Sequence, residues 1–230
     1  MNSIIETIKG GLIVSCQALE DEPLYGSNIM QKMAIAAKKG GAKGIRANSP
    51  VDIQAIKKCV SLPIIGLYKK EYEDSEIYIT PTIKEVEEII DAGADIIAFD
   101  ATMRSRPGGQ SLDEFIYEVK QSFPNHLLMA DISTLEEGMN ASRLGVDMIS
   151  TTLSGYTDNT LHIKSFDKEL LTKLLSKLAL PIIAEGRVDT PKLAAECIRL
   201  GSYAVVVGSA ITRPQEITKR FQREIQKLKA

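Results

Sequence analysis

Histidine is scarce in this chain. His126 and His162 are the only two, and neither has a carboxylate at ligand spacing, so no metal site is expected. Cysteine is nearly as scarce. Cys16, Cys59 and Cys197 are odd in number, widely spaced and without a CxxC pair. That argues against a disulfide framework or a structural zinc, and the three read as small buried hydrophobes. No one sign of charge dominates: the formal net charge is −2, with Lys and Arg spread along the chain. There is no electrostatic footprint for nucleic acid or a membrane surface. No apolar run approaches the ~20 residues needed to span a bilayer. The N-terminal MNSIIETIKGGLIVS lacks a charged segment followed by a long apolar one, so it does not read as a signal peptide. A cytoplasmic location is the expectation.

Short β-branched runs alternating with amphipathic stretches fill the 230 residues. The strands predicted are Leu12–Gln17, Gly44–Ala47, Pro63–Tyr68, Asp95–Phe99, Leu127–Ala130, Asp147–Thr151, Pro181–Ala184 and Tyr203–Val207. The helices are Ile29–Lys39, Val51–Val60, Thr82–Asp91, Ser111–Ser122, Thr134–Leu144, Phe166–Lys177, Pro191–Leu200 and Pro214–Lys227. Ser49 with Pro50 predicts one helix start, and Ser133 with Glu136 another. Strands this apolar are buried on both faces, which implies a parallel sheet covered by helices. Eight such units predict an α/β fold closed as a (β/α)8 TIM barrel, one domain over residues 1–230. An open doubly wound sheet is the alternative, but no GxGxxG turn follows the first strand.

Internal pattern supports closure. Strands two, four, six and eight each follow a glycine that ends a helix: Gly41, Gly93, Gly145 and Gly201. Strands three and seven both begin Leu-Pro-Ile-Ile and sit four units apart, hence across the barrel axis from each other. Strand ends around such a mouth are roughly 10–15 Å apart, within reach of long side chains. Strand three runs into Lys69 and strand seven into Glu185. Between Lys69 and Pro81 lies an insertion rich in charge and tyrosine, with a short extended piece at Ile77–Ile79. Its charged part reads either as a lid or as a solvated loop.

In this fold the site lies at the C-terminal rim of the strands. The residues there are Gln17, Arg46, Lys69, Asp100, Asp131, Thr151 with Thr152, Glu185, and Gly208 with Ser209. Lys69 acts as a base only if its amine is neutral. Desolvation and the neighbouring Arg46 favour that, and Glu185 opposes it. A lysine at a barrel strand end also suits Schiff-base chemistry of an aldolase type, and the residues alone do not separate the two. A non-catalytic sugar-phosphate sensor is a third reading. Gly186-Arg187 and Gly208-Ser209 follow the two strands whose loops most often bind phosphate in this fold, with Arg213 close behind.

Long segments then resemble one family. They are Gly11–Pro23 (GLIVSCQALEDEP), Met33–Asn48, Pro63–Pro81 (PIIGLYKKEYEDSEIYITP), Asp100–Arg106, Ala130–Gly138 (ADISTLEEG), Ser150–Tyr156 (STTLSGY), Glu185–Arg187 and Val207–Arg220 (VGSAITRPQEITKR). The chain resembles the bacterial N-acetylmannosamine-6-phosphate 2-epimerases of sialic acid catabolism. The resemblance implies a barrel enzyme that inverts C2 between N-acetylmannosamine 6-phosphate and N-acetylglucosamine 6-phosphate. It implies a catalytic Lys69 supported by Glu185, and substrate contacts by Gln17, Arg46 and Asp131; Thr151, at the end of strand six, is expected to bind substrate beside them. Phosphate falls to Gly186, Arg187, Gly208, Ser209 and Arg213. It implies no metal or organic cofactor, and a homodimer through the last helix. Two departures stand out: Tyr68 where an aliphatic residue is expected, and the loop Thr157–Ser165, which matches no family segment.

Overall fold

The computed structural model describes residues 3–228; the expectation of one domain over 1–230 extends to four residues outside these. Eight strands pair in sequence order and close into a barrel. They are β1 (Leu12–Cys16), β2 (Gly44–Asn48), β3 (Ile64–Leu67), β4 (Ile96–Asp100), β5 (Leu127–Asp131), β6 (Met148–Ser150), β7 (Ile182–Ala184) and β8 (Ala204–Val207). Every pairing is parallel, and β8 returns to β1 with Leu12 opposite Val205. The expected β/α alternation and closure are both present.

The described helices, in chain order, are α1 (Ser3–Ile8), α2 (Ser27–Lys39), α3 (Pro50–Lys57), α4 (Ile83–Asp91), α5 (Leu112–Ser122), α6 (Leu135–Arg143), α7 (Lys168–Lys177), α8 (Pro191–Leu200), α9 (Ser209–Thr212) and α10 (Pro214–Lys227). Two of these were not expected. α1 carries Ile5 and Ile8 into the apolar packing inside the barrel, and α9 is a single turn after β8.

Alternation along the strands divides the core in two. Ile13, Ile65, Ile96, Met129, Met148, Ile183 and Val206 fill the barrel. Their neighbours, such as Val14, Ile64, Ile97, Leu128 and Ile149, face the helices. Continuing the inward parity to the C-terminal end reaches Gln17, Arg46, Lys69, Asp131, Thr152 and Glu185. The same two-residue period that buries the core therefore aims these side chains at one mouth.

The glycines predicted to end helices all have left-handed φ: 94° at Gly41, 98° at Gly93, 81° at Gly145 and 111° at Gly201. Ser49 caps α3, with Pro50 in its first turn. The Ser133–Glu136 box is displaced by one residue. Helix α6 starts at Leu135, so Thr134 is the cap and Glu137 its reciprocal partner. Ser133 instead donates its hydroxyl to Glu137.

Strand three is shorter than expected at both ends. Pro63 has no N–H for the ladder, and Tyr68 turns away to bond Thr80. The insertion that follows is a hairpin: Lys69 bridges Ile79, Tyr72 bridges Ser75, and the Lys70 N–H donates to the Tyr78 carbonyl at 2.9 Å. Ile77, Ile79 and Thr80 are buried, while Glu71, Glu73 and Asp74 are exposed. Its polar arm is tied to α4 through Glu85, which accepts from Tyr72 and pairs with Lys70 while closing the cap of that helix.

Candidate active site

Arg46 is the centre of the mouth. It rises from the middle of β2, is 1% exposed, and crosses to two other strands. Its Nη1 donates to Asp131 Oδ1 at 3.1 Å and to Glu185 Oε2 at 3.0 Å, and its Nη2 closes a fork on Asp131 Oδ2. A buried guanidinium is tolerable only with such bidentate partners. The two carboxylates hold it cationic against the cost of burial. Thr152 donates its hydroxyl toward Asp131 at 2.7 Å and Glu185 at 3.0 Å, and Ser150 adds a bond to the same Glu185 oxygen at 3.2 Å. Glu185 Oε2 thus takes three donors.

Desolvation is the largest influence on Glu185 and raises its pKa; Arg46 opposes it, and Asp131 adds to it. Lys69 moves the other way. Burial first, then the cations Arg46 and Arg213, lower its amine to about 8, with Glu185 and Glu22 pulling back. An amine near 8 is partly neutral close to physiological pH, as a base requires. Both residues line the same cavity, with Gln17, Asn48 and Tyr78. The Lys69 backbone N–H is held by Asn48 Oδ1 at 2.8 Å.

Several expected contacts fall elsewhere. Thr151 does not reach the cavity: its hydroxyl donates to the Glu185 carbonyl at 2.8 Å and accepts the Glu185 N–H at 3.0 Å. Its parity points it outward, and Thr152 takes the inward place. Asp131 is fully buried behind Arg46 with both oxygens engaged, so it steadies the arginine and does not face the cavity. Gln17 lines the cavity and donates to Ser15 at 2.9 Å. Asp100 turns to Thr102 and Arg104.

The glycine loops expected to take phosphate sit side by side on the rim. Gly186 has φ 90°, where a Cβ would crowd the carbonyls of Thr151 and Thr152. A Cβ at Gly208 would stand at contact distance from Ser15. Arg187 is committed to the loop after β6. It donates to the carbonyls of Ser154 and Gly155, each at 2.9 Å, and stacks over Tyr156 at 4.1 Å. Arg213 reaches Ser209 Oγ at 3.4 Å and pairs with Glu22 at 2.8 Å. The Thr157–Ser165 loop is a compact turn around the Thr160 hydroxyl, and its Lys164 reaches the cavity. Two side chains missed from sequence are Tyr78 and Asn48. The hairpin aims the first and the end of β2 the second.

No group of three or more His, Cys, Asp or Glu with metal-holding geometry occurs among the described residues. Cys16 and Cys197 are buried, and desolvation pushes their thiols up to about 12 and about 11, which makes them inert. Cys59 is half-buried, its thiol directed to the Ile56 carbonyl.

Replacing Arg46 by Met strands Asp131 in the core. The variant should lose roughly 3–5 kcal/mol in urea unfolding. With the nearby cation gone, the titration of Lys69 followed by NMR should move to higher pH.

Comparison with known proteins adds a family. A family model described as "Putative N-acetylmannosamine-6-phosphate epimerase" matches residues 30–227. A "Putative N-acetylmannosamine-6-phosphate 2-epimerase" of Listeria welshimeri serovar 6b is 57% identical over 228 residues, covering 98% of this chain and 97% of that protein. One of the same description from Caldanaerobacter subterraneus is 57% identical over 218 residues, covering 95% and 92%. The solved structure of the N-acetylmannosamine-6-phosphate 2-epimerase from Clostridium perfringens superposes with a TM-score of 0.93 at 51% identity, covering 96% of each chain. A thiamine phosphate pyrophosphorylase from Pyrococcus furiosus, at 17% identity and a TM-score of 0.61, shares the fold. With the match running nearly end to end, the chain belongs to the N-acetylmannosamine-6-phosphate epimerase family.

Proposed function

We propose that this chain interconverts N-acetylmannosamine 6-phosphate and N-acetylglucosamine 6-phosphate by proton transfer at C2, in the breakdown of sialic acid and related amino sugars. The observation that carries the chemistry is the pairing of a lysine lowered to about 8 with a carboxyl raised by burial, both lining one cavity. In the open-chain sugar C2 is adjacent to the C1 aldehyde, so its hydrogen is acidic. Lys69, as the neutral amine, removes it. Negative charge then develops on the carbonyl oxygen, where the field of Arg46 favours it. Glu185 has Oε2 fixed by Arg46, Ser150 and Thr152, and it presents Oε1 to the sugar. It carries the proton for the opposite face.

Gln17 positions the sugar at the rim. The phosphate lies against the backbone of Gly186 and of Gly208-Ser209, with Arg213 as the nearby cation. Arg187 acts by shaping the loop after β6. No metal or organic cofactor takes part, so turnover persists in EDTA. The enzyme works in the cytoplasm, as the one domain read from the sequence.

Assembly is part of the proposal. Helix α10 has no buried residue, yet Phe221, Ile225 and Leu228 are 70%, 51% and 87% exposed. At i, i+4 and i+7 they form one apolar stripe, which a second copy of this chain covers.

Three measurements test these readings. Lys69→Met should abolish conversion of the phosphorylated sugar while leaving its binding by calorimetry intact; retained turnover would remove Lys69 from the base role. In wild type the acid limb of kcat/KM should rise with pH through about 8, because the protonated amine is inactive. Sedimentation should give a dimer for wild type and a monomer for Phe221→Glu; a wild-type monomer contradicts the assembly.

A further inference from the structure

Three residues other than glycine have positive φ among those described: Ser49 at 74°, Thr80 at 47° and Arg187 at 57°. All three lie beyond strand ends at the mouth of the barrel. Thr80 is the most unusual, since a β-branched side chain crowds its own backbone there. Such a conformation persists only where the surroundings over-determine it.

The surroundings of Thr80 do so. It is fully buried. Its N–H donates to the Tyr68 carbonyl at 2.8 Å, and its hydroxyl accepts the Tyr68 N–H at 3.1 Å. That hydroxyl donates to the Ala98 carbonyl on β4 at 2.6 Å. Arg106 donates to the carbonyls of Thr80 at 3.4 Å, Pro81 at 3.0 Å and Asp100. Arg106 is 1% exposed, lies 3.7 Å from the centre of the Phe115 ring, and has no carboxylate at ion-pair distance among the described residues. A buried cation with no ion pair of its own, offset only by the more distant charge of Asp100, is a poor way to gain stability. What this one secures is the position of three carbonyls around Thr80.

Thr80 therefore grips both backbone groups of Tyr68, the residue before Lys69. Lys69 lies beyond β3, where the barrel ladder no longer fixes the chain. Its backbone depends on this grip, on Asn48 and on the bridge to Ile79.

We infer that Thr80, locked by Arg106, is the positioning residue for Lys69: it sets how deeply the amine enters the mouth. The inference rests on the reading of Lys69 as the base, but it predicts a property of the protein without substrate. The Lys69 amine faces Arg46 from β2, Glu185 after β7, Arg213 between α9 and α10, and Glu22 from the β1–α2 loop. Desolvation is the largest influence on it, so an amine that slips toward water titrates higher.

The test compares wild type, Thr80→Val, which keeps the shape and loses the hydroxyl, and Thr80→Ser, which restores it. The Lys69 amine is titrated by NMR in lysine-labelled protein, and steady-state rates are measured beside it. In Thr80→Val the titration should move up by about one pH unit. Its kcat should fall by about tenfold or more with KM changed by less than about threefold, as expected for a misplaced catalytic group. Thr80→Ser should recover most of both. An unmoved titration in Thr80→Val, even with a lower Tm, overturns the inference and assigns Thr80 to stability alone. If Thr80→Val does not fold, Arg106→Lys decides in the same way, by its Lys69 titration. Absence of turnover in wild type would sink the proposed reaction and leave the titration comparison intact.

Discussion

The buried fork between Arg46 and Asp131 is the constraint on which the mouth of this barrel depends. Two charges at 1% and 0% exposure are costly to bury, and only near-ideal geometry makes them tolerable. That geometry ties β2 to β5, and the second arm of Arg46 ties both to Glu185 at the end of β7. One guanidinium therefore fixes the relative positions of three strands that are not neighbours in the barrel. It also sets the electrostatics. It is the leading cation acting to lower Lys69, and it is the group that keeps Glu185 from rising further. Arg46 lowers both Lys69 and Glu185; it is burial that moves the two in opposite directions, lowering the amine and raising the carboxyl.

Around this fixed centre the loops that line the mouth are each anchored by different contacts. The hairpin after β3 is held at its base by Thr80 and Arg106 and on its polar arm by Glu85. The loop after β6 is pinned by Arg187 stacked on Tyr156. The β1–α2 loop is drawn to α10 by Glu22, which pairs with Arg213 and accepts from Gln215. Buried charge or strained backbone recurs at these anchors, consistent with local cost being concentrated where geometry matters for function.

Much of this was legible in the sequence because barrels repeat. Alternating strands and helices, glycine ends before every second strand, and the twin Leu-Pro-Ile-Ile starts placed Lys69 across from Glu185. What escaped was of two kinds. Some was parity: Ser150 and Thr152 share the inward period of Met148 while Thr151 does not, a signal present in the sequence and not used. The Ser133/Thr134 displacement is similar, since both residues have a glutamate three positions on and only the helix start decides between them. The rest depended on three dimensions. Nothing local marks Arg106 as a donor to carbonyls of the β3 hairpin, or Asp131 as the support of Arg46. Helix α1 was missed because six residues carry too little periodicity to stand out.

In the proposed reaction a lysine just beyond β3 moves a proton at C2. Proton NMR of N-acetylmannosamine 6-phosphate with the enzyme in D2O follows that proton. The gluco epimer should appear with deuterium at C2, at a rate that Lys69→Met abolishes. A gluco epimer that keeps its original C2 hydrogen through many turnovers would contradict a base and an acid exchanging with solvent at this mouth.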